Sequence, residues 1–126
     1  MSILLRITGI PVILACLFST AHAGDRLPIP DGTYASEKRF CEMSTSKAIG
    51  IFEGAYINID GNEITYYEAE CVIRDVRKKG NTVSFKEVCE SEGMANVTKT
   101  TWKIIDKNTI SINGSRHFRC KTRKRY

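Results

Sequence analysis

The chain has 126 residues, of which 42% are hydrophobic and 26% are charged, and its formal net charge is +5. These proportions are typical of a globular domain and exclude a disordered or collagen-like chain. The length excludes a large multidomain enzyme, and no stretch is long and apolar enough for a polytopic membrane protein.

The N-terminal 23 residues have the pattern of a signal peptide. Arg6 precedes an apolar run over residues 7–18, and Ala21-His22-Ala23 has the small-x-small ending that signal peptidase recognises. We therefore predict cleavage after Ala23 and a periplasmic or secreted protein of a bacterial envelope. A lipoprotein, cleaved before Cys16 and lipidated on that residue, is the alternative reading.

The cysteine count supports export. Removal of residues 1–23 takes away Cys16 and Arg6, so the remaining residues, 24–126, contain four cysteines and carry a formal charge of +4. Four cysteines in a small exported domain predict two disulfides. Residues 24–126 are long enough for one domain with a modest core.

Short apolar and polar alternations predict a meander of strands. Turn signals such as Asp60-Gly61-Asn62 and Asn113-Gly114-Ser115 separate them. The predicted strands are residues 32–36, 55–59, 63–76, 82–89, 97–105, 109–112 and 116–121. The fold class is therefore all-β, a small antiparallel meander that closes into a barrel or a curved sandwich, lipocalin-like in layout.

Three-residue loops at 106–108 and 113–115 would set the register of the last strands. Side chains alternate along a strand, so this register divides them between two faces. The predicted apolar face comprises Trp102, Ile104, Ile110, Ile112, Phe118 and Cys120. The predicted solvent face comprises Thr101, Lys103, Thr109, Ser111, His117, Arg119 and Lys121.

A three-residue loop at 79–81 would place Cys71 directly opposite Cys89, within reach of a cross-strand disulfide. Cys41 would then pair with Cys120 and tie the first segment to the last strand. The alternative connectivity, Cys41–Cys71 with Cys89–Cys120, remains open at this point.

Two further segments have local signals. Ser44 precedes residues that favour a short helical turn near 44–50, because a hydroxyl side chain caps a helix N-terminus. Residues 121–126 form a basic C-terminal segment without apolar periodicity, and we predict a frayed tail there.

Groups for catalysis are few, and we predict a non-enzymatic protein without a cofactor. His117 is the only histidine after residue 23, and a metal site needs three or four converging ligands, so none is predicted. The alternative enzyme would be a small glycan hydrolase that uses carboxylates near Glu70 and Glu90. The same carboxylates could instead form an acidic patch for a basic partner.

The C-terminus is the most basic part of the chain, and another basic group, residues 74–79, surrounds one hairpin tip. We predict binding of an anionic partner, such as anionic lipid, lipopolysaccharide or an envelope protein, through these cations. An exported protein is not expected to bind nucleic acid. The predicted binding residues are Arg116, Arg119, Lys121, Arg123, Lys124 and Arg125.

The layout of the chain carries a resemblance. Gly32-Thr33-Tyr34, Tyr67-Glu68-x-x-Cys71-x-Ile73 and Arg119-Cys120 resemble segments of small exported disulfide-linked β proteins of alphaproteobacteria, a resemblance that implies a fold but no activity. A looser similarity is to periplasmic lysozyme inhibitors, which are also small disulfide-linked β-barrels. It implies, as an alternative function, inhibition of a lysozyme-type hydrolase. Their Ser-Gly-x-x-Tyr loop is not present here: the nearest segment, Gly54-Ala55-Tyr56, has a different spacing and no preceding serine.

Overall fold

The computed structural model describes residues 25–126. The predicted signal peptide, its cleavage site after Ala23 and the alternative lipid site Cys16 lie outside the described residues. Within residues 25–126, no helix is long and apolar enough to cross a membrane.

Eight antiparallel strands form one closed barrel. Each strand pairs with its neighbours in sequence, and the first also pairs with the last, so the prediction of an all-β meander that closes into a barrel is confirmed. The strands are β1 (Gly32–Ala35), β2 (Tyr56–Asp60), β3 (Glu63–Tyr66), β4 (Ala69–Lys79), β5 (Thr82–Ser91), β6 (Met94–Asp106), β7 (Thr109–Ile112) and β8 (Ser115–Arg119).

The stretch 63–76, predicted as one strand, is a hairpin of β3 and the start of β4. Tyr66 pairs with Ala69, and Glu68 has a φ of 60°, so Tyr67 and Glu68 make a two-residue turn. The turn has no Gly, Asn or Pro, the residues by which such turns are recognised in a sequence. This is why the sequence indicated seven strands where the barrel has eight.

Two β-bulges preserve the predicted register in spite of shorter loops. Lys79 pairs with Thr82, so the loop between β4 and β5 has two residues and not three. A bulge between Arg74 and Arg77, with Asp75 at a φ of 53°, adds the missing residue and returns Cys71 to its position opposite Cys89. A bulge between Ile104 and Asp106 likewise keeps Ile104 opposite Ile110.

The predicted register of β8 is wrong by one residue. Asn113 and Gly114 both have positive φ and form a two-residue turn, so Ile110 pairs with His117 and not with Phe118. No bulge compensates here, and a one-residue shift moves every side chain to the opposite face. Phe118 and Cys120 therefore lie outside the barrel, whereas His117 turns towards its interior.

The barrel interior is filled by large side chains. The rings of Phe85 and Trp102 meet edge to face, with centroids 5.0 Å apart. Leu27 and Ile29, which precede β1, are also buried in this core. The other buried members of this cluster are Tyr34, Ile57, Ile59, Ile64, Cys71, Ile73, Val76, Val83 and Ile110.

A second, smaller core lies outside the barrel, between the strands and the connection from β1 to β2. That connection contains a 3-10 helical turn, Lys38–Glu42, and the helix α1, Thr45–Ile51. The Ser44 hydroxyl accepts a hydrogen bond from the Lys47 amide at 3.3 Å, which confirms the predicted capped helical turn. The buried members of this outer core are Ala35, Phe40, Ala48, Ala55, Tyr56 and Cys120.

The disulfides are Cys71–Cys89 and Cys41–Cys120. The first joins facing residues of β4 and β5, as the predicted register requires. The second connects the 3-10 turn to the residue after β8, beside the seam at which β1 and β8 close the barrel. The alternative connectivity is thereby excluded.

The C-terminal residues do not form the predicted frayed tail, because they pack along β1 and β2. Thr33 accepts a hydrogen bond from the Lys124 amide at 2.8 Å, and the Arg123 guanidinium forms an ion pair with Asp60 at 3.1 Å. The Tyr126 hydroxyl donates to the carbonyl of Tyr56, and the two rings are in contact. The packing of this segment corrects the prediction of a mobile cationic end.

Candidate anion-binding groove

A groove beside the Cys41–Cys120 disulfide is lined in part by the outward side chains of β8. Its volume is about 620 Å³. Arg116 and Phe118 lie on its wall because of the shifted register, and the Lys38 ammonium lies 5.1 Å from the centre of the Phe118 ring. A cation held over an aromatic face is a favourable arrangement. We call this the disulfide groove.

The disulfide groove is cationic. Its lining includes five cations, Lys38, Lys107, Arg116, Arg119 and Lys121, and two acids, Glu42 and Asp106. Asp106 is already engaged: the Asn108 amide donates to its carboxylate at 2.8 Å, and this hydrogen bond is the main reason that its pKa is lowered. Asp106 therefore fixes the β6–β7 turn, and the cations outnumber the acids.

The six predicted binding residues divide into two groups. The groove brings together Arg116, Arg119 and Lys121. Arg123 and Lys124 instead bind Asp60 and the carbonyl of Met43, respectively, and do not line the groove. The sixth, Arg125, is exposed and also lies away from it.

The cations of the groove differ in how far they are already hydrogen-bonded. Arg119 donates two hydrogen bonds to the Asp31 carbonyl, at 3.1 and 2.9 Å, so part of its guanidinium is committed to the fold. The side chains of Arg116 and Lys121 make no hydrogen bond or ion pair with any residue among 25–126. These two cations are available to a ligand.

Sequence reasoning missed Lys38, Lys107 and Phe118. Phe118 was assigned to the apolar face because the predicted register of β8 differs by one residue from the observed one. A signal for Lys38 was present, since the predicted Cys41–Cys120 bridge brings the residues before Cys41 next to the end of β8. Lys107 lies at the β6–β7 turn, whose approach to β8 depends on the two-residue turn at Asn113-Gly114.

A second cationic concavity lies on the bent β4–β5–β6 sheet. It has a volume of about 820 Å³ and includes Arg77 and Lys79 from the basic hairpin tip, together with Lys86 and Lys99. Lys86 forms an ion pair with Asp75 at 3.3 Å, and Lys99 lies directly opposite Lys86. This concavity has no aromatic–cation contact comparable to that of Lys38 and Phe118.

An acidic groove lies at the other end of the long strands. Glu70 faces Glu90 directly across β4 and β5, and Glu68 and Glu92 line the same groove of about 430 Å³. All four carboxylates are exposed. A glycosidase acid is normally held in an apolar environment, which this groove does not supply.

Glu87 is an acid on the inner face of the barrel, and 7% of its surface is exposed. The Tyr66 hydroxyl donates to its carboxylate at 2.7 Å. Its carboxylate, Cys71 and Cys89 bring three potential metal ligands within 4.8 Å of one another. The two sulfurs are bonded to each other, so they offer no thiolate, and this cluster is not a metal site.

His117 was predicted on the solvent face but is half-buried, in a cavity of about 350 Å³ that also contains Tyr66 and Ile112. Burial lowers its pKa, so the imidazole is held towards its neutral form. Its Nδ1 lies 3.1 Å from the Ser115 carbonyl. None of the side chains that line this cavity is a Ser, Thr or Cys nucleophile.

Burial raises the pKa of Glu87, and the hydrogen bond from Tyr66 only partly opposes this. The folded protein therefore binds this proton more tightly than the unfolded chain does, and stability falls as pH rises through the raised pKa. We expect Glu87→Gln to be more stable than the parent at pH 8, by about 1 kcal/mol.

The difference should vanish below the ordinary glutamate pKa of 4.5, where both states of the parent are protonated. Urea unfolding at several pH values measures it, with Glu53→Gln, at an exposed position, as control. A constant offset between Glu87→Gln and the parent from pH 4 to 8 would show that titration of Glu87 is not the cause.

The fold and the disulfides define a small, two-disulfide, eight-stranded antiparallel barrel with a cationic groove at its closing seam. Comparison of the chain with protein-family models, with curated proteins and with solved structures finds no match.

Proposed function

We propose that the protein is an exported, non-enzymatic binding module that holds anionic, phosphate-bearing lipid headgroups in the disulfide groove. The observation that carries this proposal is the pair of uncommitted cations, Arg116 and Lys121, beside a ring–cation contact in one concave site. Arginine and lysine are the side chains that bind phosphate oxygens, arginine through paired hydrogen bonds. The cations of the groove would bind the phosphate of a headgroup, and Phe118 would contact the adjacent apolar part of the lipid.

Export belongs to the same proposal. Two disulfides are typical of proteins that fold in an oxidising compartment, and the leader pattern of residues 1–23 directs the chain there. In a bacterial envelope, the abundant phosphate-bearing surfaces are anionic phospholipid and lipopolysaccharide. The mass of the exported protein tests this part, since cleavage after Ala23 and lipidation at Cys16 give different masses.

We expect the disulfide-bonded protein to bind phosphatidylcholine vesicles only when they contain phosphatidylglycerol. Loss of two cations in Arg116→Ser/Lys121→Ser should weaken this binding on the order of tenfold at low salt. Binding should also weaken from low to physiological salt, because exposed charges are screened. Vesicle co-sedimentation measures both effects, and lipopolysaccharide in place of phosphatidylglycerol distinguishes the two sources of phosphate.

The matched control is Lys47→Ser/Arg125→Ser, which removes the same formal charge from exposed residues outside the groove. It should bind as the parent does. Equal weakening in both variants would mean that net charge and not the groove attracts the vesicles. Equal binding to phosphatidylcholine vesicles with and without phosphatidylglycerol would refute the role of anionic headgroups.

The alternative function, inhibition of a lysozyme-type hydrolase, is favoured by one observation, the acidic groove. Like charges directly opposite each other in a sheet are destabilising, so the Glu70–Glu90 pair costs stability that a basic partner would recover. Tyr56, the tyrosine of the segment nearest to the inhibitory loop in sequence, is buried in the outer core and cannot enter a hydrolase cleft. Inhibition of a cationic lysozyme, lost in Glu70→Gln/Glu90→Gln, would support this alternative over the lipid-binding proposal.

A further inference from the structure

Strand β6 has a long edge without a neighbouring strand. It pairs with β5 from Met94 to Lys103, but β7 pairs with it only from Trp102 to Asp106. Among residues 25–126, no strand pairs with the outer edge of residues 94–101. Met94 and Val97 in this segment are 68% and 67% exposed. We call residues 94–101 the free edge.

The direction of each backbone group on the free edge follows from one hydrogen bond. The Ile104 amide donates to the Asn81 carbonyl, which places the backbone groups of Ile104 on the β5 side. These groups alternate in direction along an antiparallel strand, and the pairing of β5 with β6 has no irregularity. Ala95, Val97, Lys99 and Thr101 therefore point their N–H and C=O groups outwards.

The free edge lacks the features by which proteins prevent edge-to-edge association. Such edges are usually protected by proline, by several charges or by a bulge. The segment Met94-Ala95-Asn96-Val97-Thr98-Lys99-Thr100-Thr101 contains no proline and one charge. The only irregularity in the pairing of β6 lies beyond it, between Ile104 and Asp106.

We propose that the free edge pairs with the free edge of a second copy of this chain in an antiparallel, two-fold symmetric dimer with Val97 at its centre. Val97 of each copy would exchange backbone hydrogen bonds with Val97 of the other, and Ala95 would do so with Lys99. About six interchain hydrogen bonds would form. The β4–β5–β6 sheets of the two copies would then join into one continuous sheet.

Side chains select this register and this partner. Val88 lies opposite Val97 within each copy, so the two-fold axis would place four valines in one row across the sheet. Lys99 of the second copy would lie opposite Ala95, which has a small side chain. Glu90 is the next residue in the same row across the sheet, because it pairs with Ala95 on β5. The register centred on Lys99, which would also align the outward groups, places two lysines opposite each other and is disfavoured.

Lys99 also explains why pairing would help each copy. Within a copy it lies directly opposite Lys86, a repulsive arrangement that Asp75 relieves only for Lys86. In the dimer, Glu90 of the second copy would come within reach of Lys99. The interaction is independent of lipid binding, because no residue of the free edge lines the disulfide groove.

Sedimentation equilibrium of the disulfide-bonded protein tests this inference. We expect a concentration-dependent dimer, and Lys99→Glu should raise its dissociation constant about tenfold because it places two acids together at two symmetric contacts. The double variant Lys99→Glu/Glu90→Lys restores opposite charges and should restore dimerisation. Val97→Lys should abolish it, because two lysines would meet on the axis.

Hydrogen exchange provides a residue-level test in the parent protein. The amides of Ala95, Val97 and Lys99 should become protected as protein concentration rises, whereas those of Asn96 and Thr98, which face β5, should be protected throughout. The proposal is overturned by a parent that stays monomeric at every concentration. A dimer that Lys99→Glu and Val97→Lys leave unchanged would also overturn it, because its interface would lie elsewhere.

Discussion

Removal of the Cys41–Cys120 disulfide, as Cys41→Ala/Cys120→Ala, is expected to lower the free energy of unfolding by about 4.5 kcal/mol. The bridge joins residues 79 apart in sequence, and closure of so long a loop removes much conformational freedom from the unfolded chain. The bridge also lies beside the weakest seam of the barrel, since β1 and β8 share only two paired positions. Urea denaturation of the variant and the parent measures the loss.

The other disulfide is the matched control. Cys71–Cys89 spans 18 residues and joins strands that are already extensively paired, so Cys71→Ala/Cys89→Ala should lose less stability, about 3 kcal/mol. The first variant should also bind anionic vesicles less well, because the bridge holds Lys38 next to Phe118. Equal destabilisation of both variants would contradict the assignment of Cys41–Cys120 as the bridge that secures the closing seam.

Deletion of residues 123–126 is expected to lower the free energy of unfolding by about 3 kcal/mol. It removes the Arg123–Asp60 ion pair, the hydrogen bonds between Lys124 and Thr33, and the contacts of Tyr126 with Tyr56 and Tyr67. The partly exposed ion pair contributes the least, and the aromatic and backbone contacts contribute most. Urea denaturation of the truncated protein measures the change.

Two full-length variants separate the contributions of this segment. Tyr126→Ala should account for roughly half of the loss, since it removes both ring contacts and one hydrogen bond. Arg125→Ser should have almost no effect, because Arg125 is exposed and makes no ion pair or hydrogen bond within residues 25–126. A truncated protein as stable as the parent would show that the C-terminus is frayed after all.

The packed C-terminus changes how the basic cluster is interpreted. From the sequence alone, residues 123–125 were interpreted as a continuous cationic segment that follows Arg119 and Lys121. In the structure, Arg123 forms an ion pair with Asp60 at the end of β2. The Lys124 ammonium donates a hydrogen bond to the carbonyl of Met43, in the connection before β2. Charge density along a sequence therefore overstated the cations that a ligand could reach.

The proposed binding groove could be predicted only in part. Arg116, Arg119 and Lys121 were named from the sequence and do line one groove, because the first two belong to β8 and Lys121 lies two residues after it. The partners that give the groove its shape, Lys38 and Phe118, depend on which way β8 faces. The face that β8 turns outwards depends on whether the β7–β8 loop has two residues, as observed, or three, as predicted.

Alternation of apolar and polar residues, together with turn dipeptides, was enough to predict the fold class and to favour the observed disulfides over the alternative pairing. Gly80 and Gly61 mark hairpins because positive φ is inexpensive for glycine, and facing strands bring Cys71 and Cys89 together. The remaining cysteines could then join only each other. These features depend on local backbone preference and on the two-residue period of a strand. Residues close together in the sequence determine both.

Only the tertiary structure decided the loop lengths, the face of β8, the burial of Glu87 and the course of the C-terminus. The bulges near Asp75 and Ile104 restored two registers, whereas nothing restored the third at Asn113-Gly114. A bulge or a two-residue turn costs little locally, and the choice between them depends on which side chains fill the closed barrel. That choice is a property of packing among residues distant in sequence, which no local pattern contains.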